Sequence, residues 1–162
     1  MEKLIGAGVA SIAMAAHSET VTFDQQAVGA PPAGWTAGVT GQGSPRWIVE
    51  ADPSAPSPPN VLKQSGTGTF PWCVRKDVSM ENGFVEVRFK PLSGREDQAG
   101  GLVWRWKDGD NYYVARANAM ENNVSLYYTE NGGGTPSSTS MRLSLATSGT
   151  RCASSSAAPT SA

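Results

Sequence analysis

Apolar and polar residues alternate through the middle of the chain, and this alternation predicts β-strands. Across residues 84–90, valine and phenylalanine alternate with glutamate, arginine and lysine, which is typical of a strand with one face buried. Three more strands are expected at residues 100–106, 112–118 and 124–128. The connections are short, and one contains an Asp-Gly step, which tolerates the positive φ of a tight reversal. Four consecutive strands joined in this way predict an antiparallel sheet.

The N-terminal half contains shorter apolar segments separated by proline and glycine. Residues 52–60 hold four prolines and predict a surface loop, because proline donates no ladder hydrogen bond. Residues 65–69 are expected to form a flexible connection, and residues 71–74 lead into another strand. The remaining expected elements are strands at residues 21–23, 46–50 and 61–64 and a loop at 30–35.

Composition and charge support one all-β domain. The chain has 18 Gly and 11 Pro among 162 residues, which favours many turns over long helices. Its formal net charge is −1, so no long-range field would attract nucleic acid or an acidic bilayer surface. We therefore expect neither partner.

The first sixteen residues have the pattern of a secretory signal peptide. Lys3 precedes an apolar run over residues 4–16, and Ala13 and Ala15 supply small residues before a cleavage point. The run is too short for an ordinary membrane-spanning helix. The sequence thus predicts a secreted or periplasmic protein whose folded domain covers residues 21–131.

One pair of motifs resembles a known family. The run A-G-G-L-V-W-R-W at residues 99–106, followed by N-Y-Y-V-A-R at 111–116, is similar to the concanavalin A-like (laminin G-like) jelly roll. Within it, the chain most resembles bacterial 3-keto-disaccharide hydrolase domains and uncharacterised exported proteins. Weaker matches lie at residues 23–24, 34–35, 47–50, 60–62 and 84–90. The resemblance implies an antiparallel two-sheet jelly-roll sandwich whose concave sheet binds saccharide.

The tail, residues 132–162, departs from that pattern. It is rich in Ser, Thr, Ala and Gly, and its lack of periodicity predicts no strand. One possible set of codons for residues 148–161, read two bases later, encodes W-H-A-L-R-V-V-V. This matches the W-H-x-L-R-V strand that the family pattern has at this point. We hypothesise a frame change between Gly132 and Ser138, which would leave the sandwich incomplete and marginally stable. A Ser/Ala-rich disordered tail is the alternative, and sequencing the coding DNA distinguishes them.

Metal and cysteine chemistry have few candidates. Cys73 and Cys152 are the two cysteines, and Cys73 is expected to be a lone buried thiol because Cys152 lies in the tail. The single histidine, His17, falls within the predicted signal peptide, so no metal set is expected. Asp108 and Asp110 could bind calcium, although the same residues suit an ordinary turn.

If the protein is a hydrolase, one residue is the main candidate for its catalytic acid or base. The paired-glutamate motif E-x-x-D-x-x-E of sandwich glucanases is missing from the sequence, and no histidine is available as a base in the mature chain. Glu86 is the best acid/base candidate, and the adjacent Glu96 and Asp97 are expected to be solvated charges. This alternative is a glycoside-cleaving enzyme of the 3-keto-disaccharide type, and a second alternative is a cell-envelope interaction module.

The favoured function is saccharide binding, and it depends on the register of one hairpin. Trp106 could pair with Tyr112, which would unite Trp104, Val114 and Arg116, or with Asn111. The second register is preferred because it separates polar from apolar residues. Its binding face holds Arg105, Tyr112, Val114 and Arg116. Its interior face holds Leu102, Trp104, Trp106, Tyr113 and Ala115. The full set of ligand-binding candidates is Arg88, Arg105, Tyr112, Arg116 and Asn118, with Glu86 beside them.

Overall fold

The computed structural model describes residues 18–141 and 150–156, and in those residues every regular element is a β-strand. The strands are β1 (Trp35–Ala51), β2 (Asn60–Arg75), β3 (Gly83–Phe89), β4 (Ala99–Asp108), β5 (Asn111–Asn118), β6 (Asn123–Glu130), β7 (Gly133–Met141) and β8 (Thr150–Ser156). All pairings between them are antiparallel. The predicted all-β antiparallel class is confirmed.

The strands form three separate ladders. Strands β4, β5, β6 and β7 form a four-stranded meander, β1 pairs with β2, and β3 pairs with β8. The predicted sheet of four consecutive central strands is confirmed for three of them, β4, β5 and β6. The prediction that β3 belongs to the same sheet is wrong, because β3 pairs with β8, a strand far from it in sequence. The jelly-roll connectivity implied by the resemblance stays a prediction.

The β1–β2 ribbon is longer than the sequence indicated. Residues 65–69 were expected to be a flexible connection, but they lie inside β2 and pair with β1. The ladder tolerates this glycine-rich stretch because Gly66 takes the positive φ of 82° that other residues avoid. The strand predicted at residues 21–23 is also wrong, since the chain there has no ladder partner and turns at residues 24–26.

One end of the ribbon packs against the turn of the β4–β5 hairpin. The Trp72 ring lies 4.6 Å from the Trp106 ring, and Trp106 stacks on Tyr112 at 5.2 Å. The Thr40 hydroxyl is 2.9 Å from the Tyr112 hydroxyl and donates to the carbonyl of Gly109. Aromatic stacking and a buried hydrogen bond therefore fix the ribbon against one face of the meander, here called the inner face.

The β3–β8 ladder covers part of the opposite face of the meander, here called the outer face. A Cβ placed on Gly100 would lie 2.6 Å from the Phe89 ring, so this contact requires glycine. Gly100 pairs with Ala117, which is 1% exposed. The outer face is therefore covered at its Gly100 end, and it is open at the end where β4 turns into β5.

The tail takes part in the fold. The prediction of no strand beyond residue 132 is wrong, because β7 extends the meander and β8 pairs with β3. Backbone ladders need no side-chain periodicity, which is why the Ser/Thr-rich sequence gave no signal. The frame-change hypothesis stays a prediction.

The signal-peptide prediction falls on residues 1–16, which lie outside the described residues. Among residues 18–141 and 150–156, no helix long and apolar enough to cross a membrane occurs.

Candidate functional site

The β4–β5 hairpin follows the preferred register along most of its length. Trp104 pairs with Tyr113, which is the register that would place Trp106 opposite Asn111. The ladder then shifts between Trp104 and Asp108, and Arg105 adopts a positive φ of 50°. A bulge of this kind turns side chains away from the faces that strict alternation assigns.

The bulge separates two arginines that were expected to share a face. Arg105 lies over the ring of Tyr113, with 5.6 Å between its guanidinium carbon and the ring centroid. Arg116 lies over Tyr127 in the same way, at 5.4 Å. Because Tyr113 and Arg116 are an odd number of residues apart on one regular strand, they point to opposite faces. The predicted common face of Arg105 and Arg116 is therefore wrong. Trp106 also does not lie on its predicted face, and its ring stacks on Tyr112 instead.

Three aromatic rings cross the open end of the outer face, and we call them the aromatic stripe. They are Trp104, Tyr113 and Tyr128, which occupy paired positions on β4, β5 and β6. The ring centroids are 5.9 Å apart between Trp104 and Tyr113 and 6.0 Å apart between Tyr113 and Tyr128. The interplanar angles are 30° and 36°, and Tyr113 at the centre is 41% exposed. The stripe is a row of three tilted rings that is exposed at Tyr113 and partly buried at Trp104 and Tyr128.

Arg105 borders the stripe with an exposed cation. Its positive φ is uncommon for a residue with a side chain and costs about 1–3 kcal/mol. The conformation directs the guanidinium over Tyr113, where its donors can reach a ligand lying on the rings. Strain of this size is typical of functional positions, which makes the Arg105 end of the stripe the strongest candidate site.

Tyr112 is a structural residue of the interior. It is 5% exposed, its ring stacks on Trp106, and its hydroxyl bonds to Thr40. The prediction that Tyr112 binds ligand is not supported by this placement. Its role is to join the meander to the ribbon.

Arg116 and Asn118 belong to a polar cluster on the inner face. Arg116 pairs with Asp97 at 2.9 Å and with Glu121 at 3.7 Å. Asn118 is 1% exposed and donates its amide to the same Asp97 carboxylate. Asp97 was expected to be a solvated charge, but it connects the loop before β4 to the end of β5. The polar groups of Arg116 and Asn118 are therefore engaged in contacts within the protein.

Removing the Asp97 carboxylate should destabilise the fold. The variant Asp97→Ala leaves the buried Asn118 amide without its acceptor, and an unsatisfied buried group costs about 1–3 kcal/mol. We expect the free energy of unfolding to fall by about that amount in urea denaturation. The matched control is Glu96→Ala, since Glu96 is exposed and should change stability by less than about 0.5 kcal/mol. Equal effects of the two variants would contradict the role assigned to Asp97.

Glu86 and Arg88 lie on β3, which is not part of the meander that carries the aromatic stripe. Their side chains form an ion pair of 3.5 Å and are 34% and 45% exposed, respectively. Both were predicted on a strand next to β4, but β3 pairs with β8. These two candidates therefore lie in a different sheet from Arg105, Arg116 and Asn118.

The residues considered for calcium form an Asx turn. The Asp108 carboxylate accepts hydrogen bonds from the Asn111 amide at 2.9 Å and from the Asp110 backbone N–H at 2.8 Å. These two bonds, the Asn111 bond first, hold the pKa of the Asp108 carboxyl below its ordinary value of 3.8. Within the described part of the chain, no group of three metal-binding side chains occurs.

Cys73 is a free thiol on β2, as predicted, and it is half-buried. Burial raises the pKa of the thiol from 9.0 to about 11, because a thiolate loses hydration in the protein. The reactive thiolate is therefore scarce near neutral pH.

Alkylation of Cys73 should be slow in the folded protein. A change of pKa from 9.0 to about 11 reduces the thiolate fraction at pH 8 by about a hundredfold. We expect iodoacetamide to label the Cys73 peptide at pH 8 much more slowly in buffer than in denaturing urea, as measured by mass spectrometry. Labelling should accelerate as the pH approaches 11. Equal rates in buffer and urea would contradict the shielding.

A cleft lies where β1 begins and β2 ends. The cleft has a volume of about 360 Å³, and its lining includes Trp35 and Arg75. Arg75 bonds to Glu19 at 2.6 Å and to Asp77 at 2.8 Å, and these two carboxylates raise the pKa of its guanidinium. The cation is already neutralised, so the cleft presents a weaker binding surface than the stripe.

Comparison with known proteins finds no matching family model, curated protein or solved structure. Function must therefore be argued from the site itself. The preferred register predicted Trp104 and Tyr113 in the interior, and Tyr128 was not among the candidate residues. The usable signal was the two Tyr-Tyr doublets at residues 112–113 and 127–128, because adjacent strand residues point to opposite faces.

Proposed function

We propose that this protein binds saccharide on the outer face of its meander, through the aromatic stripe and Arg105. The observation that carries the proposal is the row of Trp104, Tyr113 and Tyr128 across three neighbouring strands, with the central ring exposed. The proposed site differs from the sequence-based set, since of the residues named there it keeps only Arg105.

The chemistry of the stripe fits a sugar. A pyranose presents a C–H face that packs on aromatic rings, and its hydroxyls need directional hydrogen bonds. Three rings on adjacent strands extend over two strand spacings, about 10 Å, and each ring is comparable in width to a pyranose. The stripe therefore offers stacking positions for two or more linked sugar units. The Arg105 guanidinium, 5.6 Å from the centroid of the central ring, supplies donors beside that ring.

The arrangement is also held in place before any ligand arrives. Paired backbone positions fix the three rings on regular strands, and the bulge fixes Arg105 over the central ring. Pre-organised contact groups reduce the entropy lost on binding. This supports recognition by the stripe over incidental surface exposure of aromatic residues.

The resemblance to concanavalin A-like domains and the expected export belong to the same proposal. A secreted or periplasmic protein of this class would meet extracellular glycans, and the resemblance independently implies saccharide as the ligand. The hydrolase alternative rests on the resemblance and on Glu86, which lies on β3 outside the stripe.

A glycan array tests the proposal. The full chain, labelled at its N-terminus, should bind a restricted set of oligosaccharides, and the bound glycans should be recovered intact. Binding to none of them would reject the function proposed for the stripe. Release of reducing sugar that Glu86→Gln abolishes would support the hydrolase alternative instead.

A further inference from the structure

Strand β3 presents an apolar strand edge that the sugar site does not use. One edge of β3 pairs with β8, and no described strand pairs with the other. Two large apolar residues lie on it, Phe84 at 72% exposed and Val85 at 41% exposed. They are neighbours in sequence, so the strand exposes apolar surface on both faces. Such an edge is a template for a further strand.

The sequence of β3 is complementary to itself in antiparallel orientation. A two-fold axis at Val87 would place Val87 opposite its own copy and Val85 opposite Phe89. The same register places Glu86 of each copy opposite Arg88 of the other, on one face of the joined strands. Opposite charges and apolar pairs at directly facing positions stabilise a strand pair. The two-fold symmetry makes this ion pair occur twice in the interface.

We infer that two copies of this chain associate through β3, edge to edge, with Val87 on the two-fold axis. The ion pair between Glu86 and Arg88 within one chain is long, at 3.5 Å, and both side chains are partly exposed. Association adds an opposite charge from the second copy to each of these side chains. The product is a continuous antiparallel sheet in the order β8-β3-β3-β8. The inference is independent of saccharide binding.

Charge reversal tests the register directly. Sedimentation velocity of the full chain over a range of concentrations should show a monomer–dimer equilibrium. Glu86→Arg places Arg opposite Arg88, and Arg88→Glu places Glu opposite Glu86, so each variant alone should dimerise about tenfold more weakly or worse. An equimolar mixture of the two variants should recover dimerisation, because every facing pair is again opposite in charge.

The mixture separates the interface from effects within one chain. Each variant still carries two like charges at positions 86 and 88, so recovery in the mixture can come only from contacts between copies. The control is Lys107→Glu, an exposed charge reversal on β4, which should leave the dimer unchanged, and circular dichroism confirms that all variants are folded. A monomer at every concentration, or single variants that dimerise like the parent protein, would overturn the inference.

Discussion

Replacing Tyr113 with alanine should reduce saccharide affinity about 30-fold or more. Tyr113 is the central ring of the aromatic stripe, contacts both neighbouring rings and lies under Arg105. Truncating a central aromatic anchor of a binding surface typically costs 2 kcal/mol or more, which corresponds to about 30-fold in the dissociation constant. The measurement is isothermal titration calorimetry with the tightest oligosaccharide found on the array.

The matched control for this prediction is Tyr127→Ala. Tyr127 is the same residue type on the same meander, but it contacts Arg116 on the inner face. Its removal should leave saccharide affinity within about threefold of the parent protein, a difference below 1 kcal/mol. If Tyr127→Ala weakens binding as much as Tyr113→Ala does, the ligand does not bind the outer face.

Replacing Trp106 with alanine should cost about 3 kcal/mol of stability, the second large effect. Trp106 lies between Trp72 and Tyr112 and fills the contact between the ribbon and the meander. Deleting a packed tryptophan removes its apolar burial and leaves a cavity. Urea denaturation with linear extrapolation measures the loss. Should Trp106→Ala fail to fold, Trp106→Phe keeps one ring and should show a smaller loss.

Trp104→Ala provides the comparison, because Trp104 is two residues away but belongs to the aromatic stripe on the outer face. It should lower the free energy of unfolding by less than half as much as Trp106→Ala, while weakening saccharide binding. Trp106→Ala should keep the affinity of its folded fraction. Equal stability losses in the two variants would contradict the assignment of these tryptophans to opposite faces.

Strand positions and the main register could be predicted from the sequence because they depend on local alternation. The faces of Arg105 and Trp106 could not, because the chain leaves the alternation at a bulge that no glycine or proline marks. Residues 65–69 were misread because their glycines resemble a loop, although the ladder with β1 holds them extended. These errors share a cause, which is that backbone pairing can override side-chain pattern.

Long-range partners set the remaining limits. The Tyr112 hydroxyl bonds to Thr40, 72 residues earlier in the chain, and this bond makes Tyr112 structural. Strand β3 pairs with β8 through a tail that carries no periodic signal. The Asp97 carboxylate looked like a loop charge, yet it serves Arg116 and Asn118. In each case the deciding contact joins segments whose proximity only the fold creates.

The four tyrosines of the chain allow the most direct test of the central claim. They are Tyr112 and Tyr127 on the inner face and Tyr113 and Tyr128 on the outer face. Fluorotyrosine incorporation gives four ¹⁹F NMR signals, each assigned by a Tyr→Phe variant, and an array-selected oligosaccharide is then titrated. If saccharide binds the outer face, the Tyr113 and Tyr128 signals shift with saturation while the other two stay unchanged. Shifts confined to Tyr112 and Tyr127 would contradict binding at that face.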